Sequence, residues 1–69
     1  MAQRTESDPR HHTENIKGML DDLIQHVRED VTKVDDPKAK ALFETSAEVL
    51  TGLKTAYEHY EQGTEAAWR

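Results

Sequence analysis

Cysteine is absent from this chain, which rules out disulfide staples and thiolate-held metal and leaves packing as the source of stability. No apolar run approaches the roughly 18 residues that a transmembrane helix needs. Residues Met1 to His12 are almost entirely polar, without the apolar stretch of a secretory signal, so a cytoplasmic location is the expectation. The three glycines, Gly18, Gly52 and Gly63, stand apart, and no glycine-rich phosphate loop exists. A basic excess is missing too: the net charge of -5 argues against a nucleic-acid backbone as partner, because such partners are recruited by clustered Lys and Arg. Strand-like alternation of period two occurs nowhere.

What remains is a chain of 69 residues, 35% hydrophobic and 33% charged. That mixture is too apolar for plain disorder and too charged for a membrane protein. It is also short enough that one hydrophobic core is marginal without self-association.

The two prolines mark two helix starts. Asp8-Pro9 and Asp36-Pro37 each set a carboxylate that can accept from free backbone N–H groups before a residue preset for the first helical position. Gly63 suits the left-handed residue that closes a helix. The chain therefore divides into a polar arm (1–8), a helical hairpin (9–62; helix 9–33, turn 34–36, helix 37–62) and a C-terminal tail (63–69). The short connection predicts antiparallel helices.

On the second helix Leu42, Ser46, Val49, Leu53, Ala56 and Tyr60 recur at alternating spacings of four and three, which predicts a heptad seam. Phe43, Leu50 and Tyr57 widen it. On the first helix Ile16, Leu20, Leu23 and Val27 predict the matching seam, with Ile24 and Val31 as the widening row and Met19 on the other flank. Asp30 interrupts this seam near the turn. Ala39, Ser46, Gly52 and Ala56 are small enough to allow close helix approach. Two helices pressed together bury only a narrow strip on each, and these stripes are wide enough to face two neighbours. The fold expected is all-α, an antiparallel two-helix hairpin pairing into a homodimeric four-helix bundle, with a hetero-complex as the alternative.

Candidate chemistry is sparse. Asp22, His26, Glu29 and Asp30 lie close on the first helix and could ligate metal if a second chain completed the set. The bland reading is solvated side chains with local ion pairs. His11 and His12 sit near the first turn, where adventitious metal binding is easy. The stretch from Asp36-Pro37 through Leu42-Phe43-Glu44 to Ala47-Glu48 resembles a helix of the rubrerythrin-like ferritins. That family's ligand glutamate and histidine would fall at Leu50 and Leu53, and no glutamate is followed by histidine three positions on, so the resemblance implies bundle geometry without a metal centre. Ser7 and Ser46 have no activating neighbours, and acidic pairs such as Asp21 with Asp22 point different ways on a helix. No enzyme activity, cofactor or small-molecule substrate is expected.

Trp68 closes the inventory, either as a cap folded over the open end or as an anchor for a protein partner. On the outer faces, Glu29 with Lys33 and Asp36 with Lys40 have ion-pair spacing. The function expected is a self-associating interaction or structural module, an accessory protein. Two alternatives are a metal-binding bundle with ligands at a dimer interface and an RNA-binding acidic bundle.

Overall fold

The computed structural model of the chain describes residues 7–63. They form two helices, α1 (Pro9–Val31) and α2 (Pro37–Gln62). Both start by the same device. Asp8 and Asp36 hold extended backbone, and their Oδ1 atoms accept from the N–H groups of Arg10 at 3.0 Å and Lys38 at 3.1 Å. Each carboxylate thus satisfies a donor with no partner inside the helix and sits at its positive end. At the far end of α2, Gly63 turns left-handed (φ 68°) and donates its N–H to the Tyr60 carbonyl at 3.1 Å. A residue with a Cβ is strained in that conformation.

Helix α1 stops two residues short of the Lys33 expected from the pattern, and the hydrogen bonds explain it. The Glu29 carbonyl, which a helical Lys33 N–H would need, accepts instead from the Thr32 N–H at 3.1 Å and the Thr32 hydroxyl at 2.6 Å. Lys33 and Val34 both donate to the Asp30 carbonyl, at 2.9 and 3.3 Å. A threonine hydroxyl competing for a backbone acceptor ends the ladder. The expected pair Glu29 with Lys33 therefore loses its helical spacing. Asp36 commits its carboxylate to Lys38 N–H rather than to Lys40.

The helices run antiparallel, in a register marked by polar pairs. Lys17 Nζ meets Glu61 Oε1 at 2.6 Å, Lys54 Nζ meets Asp21 Oδ1 at 2.6 Å, and Arg28 Nη2 reaches Thr51 Oγ1 at 3.4 Å. Among the described hydrophobic residues only Leu20, 8% exposed, and Ala47, 3% exposed, are buried. Ile24, Val27, Val31, Phe43, Leu50 and Tyr57 are half-buried around them.

This packing corrects the expected seam by one position. On α2 the inward column is Phe43, Ala47, Leu50, Lys54, Tyr57 and Glu61, spaced four and three. The bulkier column from Leu42 to Tyr60 lies beside it, with Leu42, Val49, Leu53 and Tyr60 exposed. On α1, Ile24 and Val31 join Leu20 and Val27 inside, while Leu23 is exposed. The small side chain of Ala47 admits close approach. Lys54 and Glu61 can share its column because Asp21 and Lys17 answer their charges. Gly52, read as a small contact residue, has open space where a Cβ would stand.

Candidate interaction face

Helical geometry sorts the remaining side chains onto two broad faces. Positions one step N-terminal of the inward column of α1 include Ile16, Met19, Leu23 and Asp30; the equivalent positions on α2 are Leu42, Ser46, Val49, Leu53, Ala56 and Tyr60. In an antiparallel pair these two sets lie on the same side. Two open grooves between the helices follow that side, one lined by Leu23, Val27, Thr45, Ser46, Val49 and Leu50, the other by Thr13, Leu53, Ala56, Tyr57 and Tyr60. Met19 is 67% exposed, Val49 63% and Leu42 61%. Hydrophobic residues scattered singly on a surface are ordinary; here several lie side by side across two helices.

The Ser46 hydroxyl on this stripe is satisfied within its own helix. Ser46 Oγ donates to the Leu42 carbonyl at 2.8 Å. No side-chain N or O buried among the described residues lacks a partner. An apolar surface laid over Ser46 would therefore leave its hydroxyl satisfied.

The opposite face is polar. Arg28, Val31, Glu44, Ala47 and Glu48 line a groove there, and Lys54 sits between Asp21 and Glu58, at 2.6 and 4.0 Å. The hydrogen bond from Lys54 to Asp21 holds the ammonium above its ordinary range. At the open end of the hairpin Glu61 gathers three α1 side chains. Lys17 and the Thr13 hydroxyl each donate to its carboxylate, and Arg10 Nη2 donates to its backbone carbonyl at 3.1 Å. The bond from Lys17, then that from Thr13, hold the Glu61 carboxyl below the usual carboxylate range. This cluster is a latch between helix ends. A groove beside it is lined by Asp8, Pro9, Arg10, Tyr60 and Glu61.

Of the metal candidates, His26 Nε2 lies 3.1 Å from Asp30 Oδ2, while Asp22 and Glu29 are exposed. Among the described residues no three His, Asp or Glu side chains gather to hold a metal ion. The rings of His11 and His12 stand edge to face, 5.2 Å apart. Trp68 lies outside the described residues. No helix among those residues is long and apolar enough to cross a membrane.

Sequence pattern missed Ala47 and the cross-helix pairs. A signal for them existed: opposite charges at Lys17 and Glu61, and at Asp21 and Lys54, fall on facing levels once an antiparallel turn at 32–36 is assumed. No family model, curated protein or solved structure matches this chain.

Proposed function

We propose that this protein is a self-associating helical interaction module, in which two hairpins meet through the face bearing Met19, Leu23, Val49 and Leu53 to make a four-helix bundle. One observation carries the reading: among the described residues, a hairpin with two long helices buries only Leu20 and Ala47, while six large hydrophobic side chains stay exposed. Ordering a chain of this size costs more conformational entropy than so small a core returns. A second copy supplies a stripe of equal width and the same helical spacing, and two-fold pairing closes without leaving an edge for further growth. The role that follows is that of an accessory protein, presenting the polar outer faces of the bundle to other molecules.

Sedimentation equilibrium across micromolar concentrations tests this directly. A dimer whose melting temperature rises with concentration is expected, because association stabilises the folded state by mass action. A cooperatively melting monomer at those concentrations would refute it.

A further inference from the structure

The groove at the open end of the hairpin, lined by Thr13, Leu53, Ala56, Tyr57 and Tyr60, has a volume of about 320 Å³. That is about ten times the share of liquid that one water molecule takes, so the groove has room for a bulky side chain. It holds both tyrosines of the chain, and the Thr13 hydroxyl beside them donates to Glu61. Leu53 is 45% exposed and Tyr60 38%. An apolar, aromatic slot of this kind gains most from an aromatic ring, which buries the largest area of any side chain and gains further from contact with other rings.

The chain carries one tryptophan, Trp68, five residues past Gly63. Gly63 is left-handed, and a left-handed residue at a helix end turns the chain off the helix axis. Five extended residues span at most about 17 Å. Ala56 and Leu53 lie roughly 10 and 15 Å back along α2 from Gly63, at 1.5 Å per residue, so the whole groove is within reach. The turn-end groove, with Leu50, Val49 and Ser46, begins roughly 20 Å away, further than that backbone extends. Residues 1–6 also adjoin the open end, but their one large apolar side chain is Met1, which brings no ring to the two tyrosines. A segment tethered this closely has an effective concentration on the order of millimolar at its own groove, which a second copy at micromolar concentration does not match. We propose that Trp68 seats in this groove of its own chain, against Leu53, Tyr57 and Tyr60, so that the C-terminal segment covers the open-end half of the apolar face. The groove is open, which lets the indole N–H keep a water partner at its mouth. The seat does not depend on the self-association proposed above.

Because Trp68 is the single tryptophan, its fluorescence reads the seat directly in the full chain. The expected result is an emission maximum shifted to shorter wavelength and acrylamide quenching several-fold weaker than for free tryptophan amide, both unchanged on dilution. Nuclear Overhauser contacts from the indole to the Tyr57 and Tyr60 rings should accompany them. Ala56→Glu, which sets a charge in the groove, should abolish the contacts and restore full quenching while helical content by circular dichroism is kept. Full quenching of the wild-type chain would overturn the proposal, as would protection without contacts to either tyrosine. Contacts to those rings from the Met1 methyl instead would assign the groove to the N-terminal arm. Protection lost on dilution would assign the seat to a second copy, and protection unchanged in a folded Ala56→Glu would place it elsewhere; each of these outcomes overturns it. Should Ala56→Glu fail to fold, the wild-type contacts and their dilution series still decide.

Discussion

The two faces of this hairpin solve opposite problems. The polar face joins α1 to α2 with pairs of defined geometry, Lys17 with Glu61, Asp21 with Lys54 and Arg28 with Thr51. The apolar face instead leaves Met19, Leu42 and Val49 exposed. Exposed ion pairs contribute little each, yet they are directional and select a register. Apolar surface contributes far more per side chain but selects nothing by itself. The difference teaches that the register of the hairpin and its stability come from different sides of the molecule.

The sharpest way to break this division is to charge the apolar face. A Leu23→Asp, Leu53→Asp double variant should leave the polar pairs untouched and weaken self-association by more than about a hundredfold, because each unpaired buried carboxylate costs several kcal/mol. Sedimentation equilibrium reads the loss; unchanged association would mean this face is not the interface. Next in size, Leu20→Ala removes most of the small core and should cost about 2–3 kcal/mol by urea unfolding. A loss below about 0.5 kcal/mol would show that Leu20 is not packed as described.

Gly63→Ala forces a Cβ into left-handed backbone and should cost about 1 kcal/mol, seen as a lower urea midpoint. The smallest effect belongs to the polar face and is a matter of pH. The Glu61 pKa is lower folded than unfolded, so its contribution is present above the ordinary carboxylate range and disappears as pH falls through the depressed value. Glu61→Gln should therefore flatten the acid limb of a stability-against-pH curve while changing neutral stability little. An acid limb of the same slope in the variant would assign it to other carboxylates.

How much of this was legible in the sequence depended on which signal carried each feature. Helix starts were, because Asp8-Pro9 and Asp36-Pro37 combine a cap with a preset dihedral, and Gly63 signalled the closing end as clearly. The end of α1 was not, since it turns on Thr32 outcompeting Lys33 for one carbonyl, which apolar spacing does not report. The choice between two adjacent columns on α2 was misread for a related reason. Counting apolar residues favours Leu42 to Tyr60 and disqualifies the column holding Lys54 and Glu61, although their charges are met across the helix pair. Bulk here lies on the exposed side, while a small residue, Ala47, packs inside the chain. Of the candidate site, the apolar residues were visible as a set, but which of them face outward was not.

The capped starts of α1 and α2 have a consequence for kinetics. Each helix carries its own nucleation signal, and a connection of five residues, 32–36, keeps loop closure short. Chains whose contacts are this local reach their topology in microseconds to milliseconds. Under the proposed self-association, encounter between two such chains is second order, so dilution should slow the appearance of the final fold even where it leaves the early helical signal untouched.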